Sequence, residues 1–450
     1  MNASIGPSCL AALAVAASCL PPVARADDFQ GSTHKVPYDE EIIAYGQRAA
    51  DGPVERLQRR IGSGELTLRY DEQFGWLPAI MEALDVPKAS QMLVFSKTSL
   101  QRQHITPDNP RAIYFNDDVY LGYIPGAPVM EVSAVDPKLG GVFYTVPQGR
   151  MERPRFERSD DCTSCHGAAK TLGVPGHFVR SVATDPTGEI DQRTEFSYIN
   201  HRTPLAERWG GWYVTGTHGD QPHRGNIIGF DAWENFGREP AKFANLDDLS
   251  PFFDQSKHLA RGSDIVALMV LEHQGHMHNY ITRLAYETEI MMKTYGHIRY
   301  LRMQVAGFLR FLLLTEETPL TAPVAGNPEF VKAFEARGPR DAKGRSLREL
   351  DLRTRLFKHP CSYLIHSEAF AAMPAVMREH LLIRLHDILT GRDDSEDFAM
   401  LTKADRRNLL EILTDTLPAL PDCWRQESTT AGVVIAPLNT PSTPTAPAQP

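Results

Sequence analysis

The chain has 450 residues, of which 42% are hydrophobic and 23% are charged. These fractions are typical of globular proteins, so they exclude a largely disordered chain, a collagen-like repeat or a coiled coil as the main architecture. A chain of this length normally forms two or three domains. The formal net charge of −9, without a basic run of five or more residues, argues against a nucleic-acid-binding protein.

The first 26 residues have the pattern of an export signal. A short apolar run spans residues 10–20, and Ala24-Arg25-Ala26 provides an A-x-A cleavage site. The run is shorter than the roughly 18 residues that a membrane-spanning helix needs. A core or anchoring helix is one alternative, and lipid attachment at Cys19 is another. We predict cleavage after Ala26, a periplasmic or secreted protein, and no transmembrane segment in the mature chain.

Residues 27–150 are predicted to form an N-terminal α+β region. Helical patterns cover residues 38–49, 54–61 and 75–84. Short β-type runs follow, separated by turn-forming residues, at 92–95, 112–115, 119–124, 130–135 and 142–146. The pattern indicates a small antiparallel sheet directly before residue 150.

A cysteine motif lies near the start of the next predicted region, residues 151–262. Cys162-Thr163-Ser164-Cys165-His166 has the C-x-x-C-H spacing of covalent haem attachment. In such motifs the two thiols form thioethers with the haem vinyl groups, and the adjacent histidine becomes the proximal iron ligand. A zinc site would need a second Cys or His pair at short spacing, and a thioredoxin-like pair would need a strand-then-helix context. We therefore predict one covalent haem c held by Cys162, Cys165 and His166.

The rest of residues 151–262 is rich in Gly, Pro, Arg and His and has little periodicity, as expected for loops wrapped around a cofactor. His177 lies eleven residues after the motif, and His218 and His223 lie in a glycine-rich stretch. These three histidines are candidates for the distal side of the haem. An ordinary hydrogen-bonded histidine is the alternative for each.

Several larger side chains of the same region are also considered as possible neighbours of a haem. Arg180, Arg202 and Arg208 are candidates for pairing with the propionates, with a solvated surface position as the alternative for each. Trp209 and Trp212 are predicted to be core residues rather than an electron relay.

A helical region is predicted over residues 263–426. Its helical patterns cover residues 264–294, 297–315, 328–337, 346–356, 362–392 and 403–416. In the first of these, Met269, His273, His276 and Tyr280 are spaced 4, 3 and 4 apart, so they lie on one stripe.

The histidines of this stripe belong to a regional excess. Nine of the sixteen histidines lie between residues 166 and 278, a quarter of the chain. Imidazoles one turn apart suit the distal face of a haem or a second metal ion such as iron or copper. A polar network inside a helix bundle is the alternative. We expect His273 and His276 to be the distal or second-metal ligands, with Met269, His177 and His218 as further candidates.

Two cysteines outside the motif, Cys361 and Cys423, are 62 residues apart. In an oxidising compartment they either close a disulfide or remain as free thiols, because the sequence does not show their separation in space.

Residues 427–450 are predicted to be a disordered Thr/Pro/Ala tail, since they contain five prolines and few apolar residues. Truncation after Gln426 should leave the melting temperature and the haem spectrum unchanged. A melting temperature lowered by several degrees would show instead that the tail packs on the folded protein.

Long segments of the sequence also carry a family resemblance; they are residues 95–101, 110–123, 173–180, 209–219, 267–279 and 360–370. They resemble a family of large, exported, single-haem cytochrome-c-domain proteins of Gram-negative bacteria, and the resemblance covers nearly the whole mature chain. It implies haem and export and supplies no substrate. A β-rich run before the motif departs from small class I cytochromes c, which place a helix there.

These patterns together predict an α+β fold that is mainly α-helical, with a small antiparallel sheet before a loop-rich haem c site and a helical C-terminal half. A simple electron carrier needs roughly 80–100 residues around one haem. The surplus indicates a substrate pocket, a second metal or a docking surface. Our first hypothesis is therefore periplasmic electron transfer with a redox partner protein, including oxidoreductase activity on a small molecule or peroxide. A non-catalytic haem sensor or partner-binding module is the alternative.

Overall fold

A six-stranded antiparallel sheet organises the first half of the chain. The structure, a computed structural model, describes residues 36–194, 197–238 and 242–426. The predicted export signal with Cys19 and the predicted tail at 427–450 lie outside the described residues. The strands pair in chain order as a meander and are β1 (Met92–Val94), β2 (Arg111–Phe115), β3 (Val119–Tyr123), β4 (Val129–Asp136), β5 (Gly140–Pro147) and β6 (Glu157–Arg158).

Short helices precede the sheet, and longer helices follow the loop-rich region. The first helices are α1 (Pro53–Gly62) and α2 (Leu77–Ala83), followed after the sheet by α3 (Thr163–His166) and α4 (Phe230–Glu234). The C-terminal helices are α5 (Ile265–Tyr295), α6 (Arg302–Leu312), α7 (Pro328–Glu335), α8 (Glu368–Ala372), α9 (Ala375–Thr390), α10 (Lys403–Thr416) and α11 (Cys423–Gln426). The predicted α+β fold, with its sheet before the motif and its helical C-terminal half, is confirmed.

The sheet separates two hydrophobic cores because successive strand residues point to opposite faces. Leu93, Tyr114 and Leu121 pack with α1 and α2 in one core. Met92 and Phe115 pack in the other core, which contains α5 and the C-terminal helices. Helix α5 is buried along most of its 31 residues, and the Asp264 carboxylate caps it by accepting a hydrogen bond from the Ala267 N–H at 2.8 Å. The central helix therefore lies at a fixed position behind the sheet.

Three predicted helices differ in the structure. Residues 38–49 form turns, and Ala44 has a φ of 52°, which a right-handed helix does not allow. Residues 346–356 are also non-helical, because Leu350 pairs with Phe357 in an antiparallel bridge. The helix predicted over 362–392 is divided into a 3₁₀ turn, α8 and α9, with Pro374 directly before α9.

The loop-rich region contains strands that the sequence pattern does not predict. β7 (Val179–Ser181) and β8 (Ser197–Ile199) form a two-stranded antiparallel sheet. β6 lies beyond the predicted boundary at residue 150 and pairs with β5. The predicted boundaries of the domains stay predictions. Among the described residues, no helix has the length and apolar character needed to cross a membrane.

Candidate functional site

The C-x-x-C-H motif lies on a single helical turn. A 3₁₀ turn, Asp160–Cys162, leads directly into α3. Positions i, i+3 and i+4 of a helix share one face, so Cys162, Cys165 and His166 face the same way. All three line one large cavity. Both thiols are free, Cys165 is exposed, and burial raises the pKa of Cys162.

The imidazole of His166 is held in one orientation by the backbone of Gly176. Its Nδ1 lies 2.9 Å from the Gly176 carbonyl oxygen, and the Gly176 N–H donates to the His166 carbonyl at 2.8 Å. Since a carbonyl only accepts, Nδ1 carries the proton and Nε2 keeps its lone pair. Burial lowers the pKa of His166 to about 4, so the ring is neutral at pH 7. A neutral, oriented imidazole with an available Nε2 is the form that binds a metal.

The segment that holds His166 is itself tied to two other elements. The Gly141 N–H at the start of β5 donates to the Pro175 carbonyl at 2.9 Å. The side chain of Asn279 on α5 accepts from the His177 N–H at 2.9 Å and donates to the His177 carbonyl at 2.6 Å. The orientation of His166 therefore depends on the sheet and on the central helix together.

Gly176→Ala tests this arrangement, because a Cβ at Gly176 would lie 2.0 Å from Asn279 Oδ1. The clash must move the segment or the amide, at a cost of about 1–3 kcal/mol. We expect several-fold lower incorporation of covalent haem per milligram of purified protein. Gly149→Ala is the matched control, because a Cβ there meets nothing within 4 Å. Equal haem content in the two variants would contradict the assigned role of Gly176.

The cavity beside the motif has a volume of about 760 Å³ and one face of the sheet as its floor. Ile113, Gly122, Glu131 and Thr145 form one row across β2–β5, since these residues are register partners. The adjacent row contains Tyr120, Ser133 and Phe143, which are also register partners. All seven residues line the cavity. The volume lies within the range of cofactor and ligand pockets.

Cationic side chains line the cavity near the motif. They are Lys97, Arg102, Arg111, Lys170 and Arg180. Arg111 pairs with Glu131 at 2.6 Å, yet its Nε is buried without a hydrogen-bond partner among the described residues. The Nε of Arg180 is likewise buried without a hydrogen-bond partner among the described residues. The Arg180 guanidinium lies 5.2 Å from the Phe178 ring centre. Buried donors without partners are costly, so these two arginines are suited to bind anionic groups in the cavity.

Helix α5 closes the inner end of the cavity with Leu271, Glu272, Gly275 and His276. Between residues 265 and 284, His276 is the one residue that is only partly buried. Its ring centre lies 4.9 Å from that of Phe311 and 5.2 Å from that of Tyr280. The structure therefore brings His276 to the same cavity as the motif.

His177 also lines the cavity. Its Nε2 lies 2.8 Å from Ser133 Oγ, and its ring centre lies 4.2 Å from that of Tyr120. Its Nδ1 is buried with no partner among the described residues. Burial lowers the pKa of His177, so this ring is also neutral. Two of the predicted distal candidates thus share the cavity with His166.

The structure places Met269 and His273 of the predicted stripe outside the lining of the cavity, so it does not bring these two residues together with His166. His273 uses both ring nitrogens elsewhere: Nδ1 lies 2.9 Å from Nδ1 of His201, and Nε2 lies 2.8 Å from Ser362 Oγ. Met269 is a core residue. Spacing correctly places these residues on one side of α5, but of the three only His276 lines the cavity.

His218 and His223 lie together away from the cavity, with ring centres 4.6 Å apart. His218 Nε2 accepts from the Asn245 N–H at 3.0 Å, and His223 Nδ1 accepts from the Gly225 N–H at 3.0 Å. The structure therefore does not bring His218 and His223 together with His166.

Of the three predicted propionate partners, only Arg180 lines the cavity. Arg202 pairs with Glu316 at 2.8 Å, and Arg208 forms an ion pair with Glu272, which itself lines the inner end of the cavity. Trp209 and Trp212 are both core residues, as predicted. Trp209 Nε1 donates to Glu272 at 3.1 Å, and Trp212 Nε1 donates to the Arg180 carbonyl at 2.9 Å.

The remaining metal and thiol predictions concern other parts of the chain. Cys361 and Cys423 are free thiols, and Cys361 is fully buried. Among the described residues, no group of three or more His, Cys, Asp or Glu side chains is placed to hold a metal ion.

Sequence patterns did not identify the floor of the cavity. The available signal is polar spacing within an apolar strand: Glu131 and Ser133 lie two apart in β4 and hence on one face. Their partners on β3 and β5 become visible only when the register is known. Tyr120 and Arg111 were missed for the same reason.

Comparison of the chain with protein-family models, with curated proteins and with solved structures finds no match.

Proposed function

We propose that the protein is an exported c-type haem protein that transfers electrons, with its haem in the cavity beside the motif. One observation carries the proposal: Cys162, Cys165 and His166 face a cavity of about 760 Å³, and the Gly176 carbonyl leaves His166 Nε2 available. Cys162 and Cys165 would form the thioether bonds, and His166 would be the proximal ligand. Bound there, haem iron supplies one-electron redox chemistry.

The cavity wall supplies the other groups that a haem requires. Arg180 and Arg111 would pair with the propionates, because each has a buried Nε without a partner among the described residues. The apolar side chains Ile113, Phe143 and Leu271 would pack against the macrocycle. These residues would orient the group and limit access of water to it, which is one of the factors that set a reduction potential.

On the distal side we propose His276 rather than His177. His276 lines the cavity from the central helix and is the one residue between 265 and 284 that is only partly buried, whereas His177 is held against the sheet by the contact of its Nε2 with Ser133 Oγ. An imidazole ligand keeps the reduction potential lower than a methionine ligand does. A filled distal position favours electron transfer, and an open one favours oxidoreductase activity on a small molecule or peroxide.

Absorption spectra of the oxidised and reduced protein, with and without cyanide, test the proposal. We expect His276→Ala to change the oxidised spectrum and the reduction potential and to make cyanide binding easier. His177→Ala should retain the wild-type ligation, and His218→Ala is the control for a histidine outside the cavity. The opposite result for His276 and His177 would transfer the distal role to His177. Purified wild-type protein without covalent haem would overturn the proposed function.

A further inference from the structure

The end of the central helix carries exposed apolar side chains. Among the described residues, nine large hydrophobic side chains are exposed, and four of them fall within residues 292–303. These four are Met292 (38% exposed), Tyr295 (53%), Tyr300 (65%) and Met303 (61%). Such a concentration in twelve residues is typical of an interaction surface, whereas single exposed hydrophobic residues are ordinary.

The aromatic residues of this segment pack on one another at the surface. The ring centres of Tyr295 and Tyr300 lie 5.2 Å apart in an edge-to-face contact. The His297 ring lies 6.2 Å from Tyr295 and 5.2 Å from Tyr300. We call Met292, Tyr295, His297, Tyr300 and Met303 the tip cluster. Because its rings already contact one another, the cluster requires little ordering on binding.

Three cations lie within the same twelve residues as the tip cluster. Lys293, Arg299 and Arg302 are all exposed, and residues 290–303 contain no Asp or Glu. None of the three cations forms an ion pair with the described residues. A local charge of +3 in a chain with a net charge of −9 is a marked asymmetry. The charge fits an anionic partner.

The segment projects from the body of the protein. Residues 292–296 are exposed without interruption, and the last four residues of α5, which ends at Tyr295, cover more than one turn of 3.6 residues and hence every side of the helix. Leu301 is buried and anchors the segment from below. A stable protein interface takes about 20–30 residues from each side. A narrow projection with tyrosines, methionines and cations instead suits the headgroup region of a membrane.

We propose that residues 292–303 form a peripheral contact with an anionic bilayer surface. The tip cluster enters the headgroup region, and Lys293, Arg299 and Arg302 pair with lipid phosphates. His276 and Tyr295 are 19 residues apart on α5, so the cavity stays about 28 Å from the contact along the helix axis. The proposal does not depend on haem.

Sedimentation with vesicles tests the contact. The full exported protein, with Cys19→Ala in every variant to prevent lipid attachment, is mixed with vesicles of 70% phosphatidylcholine and about 30% phosphatidylglycerol. We expect wild-type binding at low salt that falls at least tenfold in Lys293→Glu/Arg299→Glu/Arg302→Glu. Arg353→Glu/Lys403→Glu/Arg407→Glu is the matched control, since these exposed residues lie elsewhere and give the same change of charge. Its binding should stay within about twofold.

A second variant keeps the test independent of charge. Tyr295→Ser/Tyr300→Ser should weaken binding several-fold at the same net charge, while its melting temperature stays near that of the wild type. Equal loss in the tip and control charge variants would overturn the proposal, as would equal binding to pure phosphatidylcholine vesicles. Self-association of the wild type that the tyrosine variant abolishes, without vesicle binding, would also overturn it and assign the surface to a second copy.

Discussion

Replacing both motif cysteines, Cys162→Ala/Cys165→Ala, is expected to abolish covalent haem. The two thiols are the only ones that line the cavity among the described residues. Without thioether bonds, haem retention depends on His166 and the cavity wall alone. When the protein is made with cytochrome c maturation machinery, we expect the haem stain to survive denaturing electrophoresis in the wild type and to disappear in the double variant.

Matched thiol controls are available in the same chain. Cys361→Ala and Cys423→Ala remove free thiols that do not line the cavity, so both should keep the haem stain. Single replacement of Cys162 or Cys165 should leave one thioether and hence a weaker stain. Retention of the full stain in the double motif variant, or its absence from the wild type, would contradict the assignment of the motif.

Local periodicity predicts the regular elements well where hydrophobic pattern and packing agree. The strands from residue 92 onward and the helix predicted at 264–294 are confirmed, with ends shifted by one or two residues. The helix predicted at 403–416 has the observed bounds of α10, where Thr402 and Asp405 form a capping box. The hydrophobic pattern wrongly predicts a helix where one residue adopts a backbone conformation that a right-handed helix excludes. Ala44 and Leu352, which both have positive φ, are the two examples.

The candidate site is only partly visible in the sequence for a related reason. The spacing of Cys162, Cys165 and His166 is local, so a sequence motif describes it completely. The wall of the cavity depends on strand register and on the position of α5, which bring Tyr120, Ser133 and His276 together from distant parts of the chain. Contacts with distant parts of the chain also explain why His273 does not line the cavity, although it shares one stripe of α5 with His276. His273 is bonded to His201 and Ser362, which lie 72 and 89 residues away.

Removal of Arg208 is expected to cause the largest loss of stability of any change near the site. The Arg208 and Glu272 side chains are 4% and 0% exposed, and they form a direct ion pair. Arg208 also donates to the carbonyls of Thr203 at 2.7 Å and His201 at 3.0 Å. Breaking a buried pair leaves a charge without compensation, at a cost of about 3–5 kcal/mol. Chemical denaturation of Arg208→Met should show this decrease in the free energy of unfolding.

Two further variants separate the ion pair from simple packing. Arg208→Met/Glu272→Met should recover much of the loss, because hydrophobic replacement of a whole buried pair is often close to neutral. Arg59→Met removes an ion pair with Asp51 in which the two side chains are 61% and 77% exposed, and it should leave the free energy of unfolding close to that of the wild type. A double variant as unstable as Arg208→Met would show that the stability depends instead on the other hydrogen bonds of the pair, from Arg208 to the Thr203 and His201 carbonyls and from Trp209 to Glu272.

The pH dependence of the free energy of unfolding tests the charge of Glu272 separately. Burial raises the pKa of Glu272 to about 7, although Arg208 opposes this shift. The unfolded pKa is about 4.3, so between these values the native state holds a proton that the unfolded state releases, and stability falls as pH rises. Without Arg208 the pKa of Glu272 in the native state rises further, because Arg208 no longer opposes the effect of burial. The pH range in which stability falls then extends to higher pH. The deficit of Arg208→Met relative to the wild type should therefore be larger at pH 8 than at pH 5, and a deficit that grows on acidification would contradict a buried, uncompensated Glu272.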